Sequence, residues 1–171
     1  IDMGGTSFDA ALVLNGAPSV VTEGEINRYR VALPMLDIVT IGAGGGSIAW
    51  VDKGGVLNVG PRSAGADPGP ATYGLGGTEP TVTDANVVLG RIDPAYFLGG
   101  ELPLDPDLAR RAILTQTAGP MGLSLEEAAE GIIRIVNANM VKGIRTKTIE
   151  RGYDVREFTL IAFGGAGPLH A

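Results

Sequence analysis

The apolar positions fall into short runs over the first third of the chain and into helical spacing after residue 105. Residues 7–15 (SFDAALVLN) and 18–23 (PSVVTE) are apolar and β-branched, bounded by Gly16 and Gly24. They predict consecutive strands joined by a tight turn. The segment 38–51 (IVTIGAGGGSIAWV) holds two apolar runs around a glycine cluster, which predicts strand, loop, strand, with Asp52-Lys53-Gly54-Gly55 as the next hairpin turn. Residues 60–84 carry Pro61, Pro68, Pro70 and Pro80 and six glycines, a long loop of the kind that usually has a function. Asp105 as N-cap and Pro106 at the first helical position start a helix that Gly119-Pro120 is expected to stop. Its apolar positions are Leu108, Ala109, Ala112 and Ile113. Ser124 and Glu127 form a capping box for a second helix running to about Ile149, with Ala128, Ile132, Val136 and Met140 on one stripe and Ile133 and Ile144 beside it. Phe158–Phe163 reads as a buried strand, and Pro168 marks a helix start after a glycine turn. Strands, then helices, then a strand followed by a glycine turn give an α/β or α+β domain.

Composition sharpens this picture at three points. Glycine accounts for 27 of 171 residues without a Gly-X-Y period, so it serves tight turns and close backbone approach rather than a collagen-like repeat. The net charge of −6 argues against a nucleic-acid surface, which needs a basic face. Six of the 13 basic residues lie between Arg134 and Arg156, where they read as the solvated face and C-terminal end of the second helix. With no cysteine, disulfides, thiolate chemistry and zinc held by Cys are excluded. No run of about 18 apolar residues predicts a membrane span, and no signal-peptide pattern opens the chain. The balance reads as cytoplasmic. The chain opens on Ile1-Asp2-Met3-Gly4-Gly5 and closes on FGGAGPLHA, so both ends cut through expected structural units. The sequence reads as one domain excised from a longer protein.

Two segments have the form of phosphate sites. In Asp2-Met3-Gly4-Gly5-Thr6-Ser7-Phe8-Asp9, two glycines let backbone N–H groups converge on an anion, and Thr6 and Ser7 add hydroxyl donors. Asp2 is repelled by phosphate but suits a magnesium ion, directly or through its water. In Gly164-Gly165-Ala166-Gly167, bare backbone lies between an apolar run and a helix start. A dinucleotide fingerprint fails at Ser47 and at His170, and no P-loop pattern exists. The cluster Gly44-Gly45-Gly46-Ser47 either faces a transferred phosphate or substrate, or is a turn packed beneath a neighbouring lobe. Asp67, Tyr73, Asp84 and Asn86 are turn formers and caps or else ligands, and His170 reads as a first-turn helix residue.

Taken together, DMGGTSFD, IGAGGGSIAWVD, SAGADPGPATYG, PTVTDANVVLGR, ERGYD and FGGAGPLHA resemble the hydantoinase A / 5-oxoprolinase family over nearly the whole chain. That resemblance implies an α/β fold, one lobe of an actin-like (ribonuclease H-like) ATPase: a mixed sheet with helices and a glycine-rich insertion. It implies that residues 1–171 are most of the second lobe, with the first lobe elsewhere in the same protein. It implies ATP and magnesium as cofactors, a small cyclic amide (hydantoin, 5-oxoproline or a related lactam or imide) as substrate, and a hydantoinase B-type partner subunit or domain. In that chemistry ATP phosphorylates the amide carbonyl oxygen and water then adds to the activated carbon. Residue by residue, the resemblance gives Gly4, Gly5, Thr6 and Ser7 to the phosphates. It gives Asp2 and Thr6 the catalytic places, with Asp2 on magnesium, and Gly164, Gly165, Ala166 and Gly167 to the adenosine. Asp9 matches the family pattern, with fastening of the hairpin as its other reading. Position 72 is Thr where the family often has Cys, so thiol chemistry there is not required. A carboxylase subunit that activates a ketone with ATP, and a non-catalytic binding module of the same fold, are the competing readings. Intact Asp2, Thr6 and glycine pairs argue against the second.

Overall fold

The computed structural model describes residues 1–26 and 28–171. The strands are β1 (Asp2–Met3), β2 (Phe8–Ala11), β3 (Val13–Leu14), β4 (Ala17–Pro18), β5 (Val20–Val21), β6 (Gly24–Ile26), β7 (Tyr29–Val31), β8 (Met35–Leu36), β9 (Ile38–Ile41), β10 (Ser47–Val51) and β11 (Leu57–Ser63). The helices are α1 (Val82–Val88), α2 (Pro106–Ile113), α3 (Gly119–Met121) and α4 (Leu125–Lys147).

The sheet that positions the site runs β1-β2-β9, antiparallel throughout, with Asp2 opposite Asp9 and Phe8 opposite Ile41. Phe163 bridges to Asp2 in parallel, so the sheet is mixed. Beyond β2 the chain continues as a narrow two-stranded ribbon. It turns at Asn15-Gly16, where both residues have positive φ (51° and 79°), as the right-handed twist of a two-residue hairpin requires. β5 with β8 and β6 with β7 complete the ribbon. A second hairpin, β10–β11, closes on Asp52, whose Oδ1 accepts from the amides of Gly54 (2.8 Å) and Val56 (3.0 Å).

α4 is the helix on which the core is built. Ser124 caps it, accepting from the Glu127 amide, while the Glu127 carboxylate accepts from the Ser124 amide at 2.8 Å. The expected stripe Ala128, Ile132, Val136 and Met140 is buried, together with Ala129 and Ile133. It packs with Met3, Phe8, Ala10, Val59 and Val82 into one cluster. A Cβ added to Gly131 would lie 3.2 Å from Leu57, so the helix meets β11 at a glycine. The cluster thus clamps both hairpins and α1 to one helix face, at about 1.5–3 kcal/mol for each large side chain removed from water.

Four expectations change. The 60–84 segment is not continuous loop: β11 reaches Ser63, a short 3₁₀ turn occupies Ala71–Tyr73, and α1 follows. α1 starts on a capping box in which Thr81 and Asp84 bond each other's backbone amides. Gly119-Pro120 does not stop the first of the two predicted helices. A π turn over Leu114–Ala118 carries it into α3 and takes up the proline, which has no N–H to give, and the end falls at Gly122 in the left-handed region. α4 ends at Lys147, two residues before Ile149. Phe158–Phe163 is not a buried strand: Leu160, Ile161 and Phe163 are exposed by 54–69%. The segment is extended, and its bonds run to β1, with Phe163 donating to Ile1 O (3.0 Å) and accepting from the Met3 amide (3.2 Å).

Candidate functional site

The first glycine hairpin is a two-residue turn. The Gly4 amide donates across it to Ser7 O at 3.1 Å, and Gly5 and Thr6 stand exposed at the tip. Its underside rests on the second glycine loop. Gly45 and Gly46 donate to the carbonyls of Gly4 (2.9 Å) and Gly5 (2.6 Å). A Cβ on Gly44 would lie 2.5 Å from the Gly5 carbonyl carbon and the Thr6 nitrogen, which is why no side chain stands there. A trans peptide holds its N–H opposite its C=O. Pinning these two carbonyls therefore aims the Gly5 and Thr6 amides to the free side of the hairpin, as two adjacent donors for an anion. Gly45 O in turn accepts from the amide (2.7 Å) and hydroxyl (2.9 Å) of Thr83, the second residue of α1.

The second glycine turn docks on the first hairpin. The Ala166 amide donates to Met3 O at 2.8 Å. Gly164 has φ +84° and packs so closely on Asp2 Oδ1 and Met3 O that a Cβ has no room. Gly165 is the opposite case, with nothing within 4 Å of a Cβ position. Cross-strand pairing places the carboxylates of Asp2 and Asp9 on one face of the hairpin. Asp9 accepts from the hydroxyls of Thr40 and Ser7, the latter at 3.2 Å, so the Ser7 hydroxyl faces its own strand. One or two carboxylates with room for waters and phosphate oxygens suit magnesium. Among the described residues no group of three or more His, Cys, Asp or Glu gathers to form an all-protein metal cage.

Both turns open on one cleft of about 530 Å³, lined by Gly4, Gly5, Gly45, Gly165, Ala166 and Pro168 on one side. The other side is the insertion: Thr83 and Asn86 of α1, then Arg91, Asp93 and the aromatic ledge of Tyr73, Tyr96 and Phe97. Tyr73 and Phe97 stack with ring centres 5.7 Å apart. The volume falls within the roughly 300–1,000 Å³ of small-molecule sites. A second hollow of about 470 Å³ lies against loop 62–79 and includes neither glycine turn.

A polar chain runs from Asn86 of the cleft lining into the domain. His170 Nδ1 donates to Asn137 Oδ1 at 2.8 Å, and His170 Nε2 accepts from Asn86 Nδ2 at 3.4 Å. Burial, and then the positive charge of Arg91, push the His170 pKa below its ordinary value. Behind the wall sits Asp84, fully buried, accepting from the amides of Ala71, Thr72 and Thr81 and the Thr81 hydroxyl. Burial raises its pKa, and these bonds pull it part of the way back. Burial, with the neighbouring Asp84 charge, also raises Tyr73. Thr72 donates its hydroxyl to Asp105 O at 3.1 Å, joining the loop to the start of α2.

The structure therefore brings Gly4, Gly5, Gly165 and Ala166 onto one cleft and packs Gly164 on Asp2 and Met3 and Gly167 on Met3, while Thr6 and Ser7 are not part of the cleft lining. In the Gly44–Ser47 cluster, Gly44 and Gly46 pack beneath the first hairpin of the same domain, while Gly45 lines the cleft. Asp84 is a cap, whereas Tyr73 and Asn86 line the cleft. Sequence reasoning missed Thr83, Arg91, Tyr96 and Phe97. The signal for α1 was present as Thr81-x-x-Asp84, a capping box inside a stretch dominated by proline and glycine.

The chain is thus an α/β domain in which two apposed glycine turns frame a cleft of small-molecule size. The Hydantoinase/oxoprolinase family model matches residues 1–171, and the chain belongs to that family. It is 53% identical over 170 residues to the caprolactamase subunit alpha of Pseudomonas jessenii, covering 99% of this chain and 24% of that protein. It is 50% identical over 171 residues to the acetophenone carboxylase gamma subunit of Aromatoleum aromaticum, covering 99% of this chain and 23% of that one. The crystal structure of the ATP-dependent caprolactamase from Pseudomonas jessenii superposes with a TM-score of 0.91 at 53% identity, covering 99% of this chain and 25% of that one. The chain thus spans about a quarter of the length of these relatives. Among the described residues no helix is long and apolar enough to cross a membrane.

Proposed function

We propose that these 171 residues are the nucleotide-binding second lobe of an actin-like ATPase within an enzyme that uses ATP to activate a carbonyl by phosphorylation. The observation that carries this reading is the meeting of the two glycine turns at one cleft, with the Asp2 carboxylate packed against the second turn at Gly164. Gly5 and Thr6 present amides to phosphate oxygens, with Gly4 closing their turn and the Thr6 hydroxyl beside them, while the Ser7 hydroxyl is held by Asp9 instead. Asp2 orients magnesium or its water. The turn Gly164–Gly167 admits the adenosine against bare backbone. Magnesium, when bound, neutralises charge between phosphates, and the chain's part is positioning.

The substrate is a cyclic amide, whose carbonyl carbon is too poor an electrophile for water until its oxygen carries the γ-phosphoryl group; water then adds to that carbon, the ring C–N bond breaks as the nitrogen takes up a proton, and a second water cleaves the resulting acyl phosphate to carboxylate and phosphate. Hydrolysis then belongs to a hydantoinase B-type partner subunit or domain. This fits the similarity to a lactam-named relative at 53% identity. The second reading, an ATP-using subunit of a ketone carboxylase, is favoured by the 50% identity to an acetophenone carboxylase subunit. With ATP as the proposed cofactor, the location we propose is the cytoplasm. On this reading the second phosphate hairpin lies in the other lobe, so residues 1–171 alone do not turn over ATP.

The test is ADP release by the full-length protein with its partner, screened against hydantoins, 5-oxoproline, larger lactams and ketones. Stimulation by a cyclic amide supports hydrolysis, and stimulation by a ketone only with bicarbonate supports carboxylation. ADP release that no carbonyl compound changes would contradict both.

A further inference from the structure

Asn86 is 1% exposed, and its Oδ1 has no hydrogen-bond partner among the described residues, the one side-chain atom so placed. A buried acceptor left unpaired is uncommon and calls for a donor. The residue lines the cleft. Its orientation has a cause. Asn137 Oδ1 takes the proton of His170 Nδ1, so Nε2 is the ring's acceptor. Asn86 must therefore turn its Nδ2 to the ring, and its carbonyl oxygen is left on the other side. The chain from Asn137 through His170 fixes which end of the Asn86 amide is available. Burial and Arg91, which both disfavour imidazolium, keep that polarity at neutral pH. The Asn86–His170 bond is long at 3.4 Å and the Asn χ2 torsion is soft, so a small rotation brings Oδ1 to a ligand without reversing the amide.

We propose that Asn86 is a specificity-determining residue, accepting a hydrogen bond from an N–H donor on a planar ring seated in the cleft. The aromatic ledge of Tyr73 and Phe97 and the bare turn at Gly165 suit a flat ring between them. Two ligands of the reaction proposed above offer such a donor, so the inference rests on that reading. One is the 6-amino group of adenine; the other is the amide N–H of a cyclic amide. In a 6-oxo purine or an N-methylated lactam the donor is gone. A site built around a buried polar partner rejects such analogues strongly.

The experiment uses the full-length protein and two ligand pairs. ATP is compared with inosine triphosphate by competition binding, and a lactam with its N-methyl derivative by KM for stimulated ADP release. Wild type is expected to prefer the N–H member of one pair by at least about tenfold. Asn86→Leu erases that preference and leaves the other pair unchanged, which identifies the ligand. Asn137→Leu, at a half-buried position away from the cleft lining, frees the His170 tautomer, lets the Asn86 amide reverse and weakens the same preference. It decides the matter alone if Asn86→Leu does not fold. No preference in wild type, or a preference that survives in both folded variants, overturns the proposal. If no carbonyl compound stimulates ADP release, the proposed reaction fails, while the nucleotide pair, read by binding, still tests Asn86.

Discussion

Gly44 is the residue on which the geometry of the first hairpin turns. It has no freedom to gain a side chain, because the atoms a Cβ would strike at 2.5 Å are backbone atoms of Gly5 and Thr6. Backbone cannot swing aside as a flexible side chain does. Gly44→Ala is therefore expected to push the hairpin tip off its seat, at a cost of about 1–3 kcal/mol in stability. Loss of the Gly45 and Gly46 bonds would also release the two aimed amides, so ATP affinity should fall at least about tenfold. Gly143→Ala is the control, since its Cβ position meets only ordinary contacts at 3.5 Å and beyond and lies outside the cleft lining. Thermal melts and nucleotide titrations of the two variants check this, and equal behaviour would place the constraint elsewhere. From sequence, Gly44 was one glycine among 27. What distinguishes it is a neighbour 39 residues earlier, which no local pattern encodes.

At the scale of elements, legibility followed local chemistry. α4 was readable because its cap and its apolar stripe are written within one segment. α1 was not, because seven residues carry too short a stripe and the surrounding prolines and glycines read as loop. Phe158–Phe163 was misread because an apolar run predicts burial only if something covers it. The ribbon is tied to the body by another long-range device. Asp37, between β8 and β9, is 6% exposed and accepts from Lys147 at 2.5 Å and from Arg151, at the end of α4 and just beyond it. Burial pushes Asp37 up, but the bonds and charges of Lys147 and Arg151 outweigh it and hold its pKa below the ordinary value. A folded pKa below the unfolded one gives stability that is complete above the unfolded value, about 3.9, and is lost as pH falls through the folded value. Asp37→Asn should cost about 1–3 kcal/mol at neutral pH, less than a fully buried pair because Arg151 is 39% exposed. The wild-type and variant stabilities should converge as the pH falls below the ordinary carboxylate range. Urea unfolding at pH 7 and in acid measures this, and a constant difference at both would remove the ion pair from the account.

For the whole molecule, the site is a matter of assembly. Each glycine motif was legible by itself, and the far wall of the cleft was not, because it depends on where the insertion folds back. The central claim is that the cleft between the turns holds the nucleotide. Gly165→Val tests it cleanly. Gly165 has open space around its Cβ position, and the positive φ belongs to Gly164, so the variant should fold with an unchanged melting temperature. The isopropyl group would stand where the adenosine meets bare backbone. ATP affinity of the full-length protein, measured by titration calorimetry, should fall at least about tenfold, or about 1.4 kcal/mol. Wild-type affinity in the folded variant would contradict the account and leave the turn a structural joint between β1 and the end of the chain.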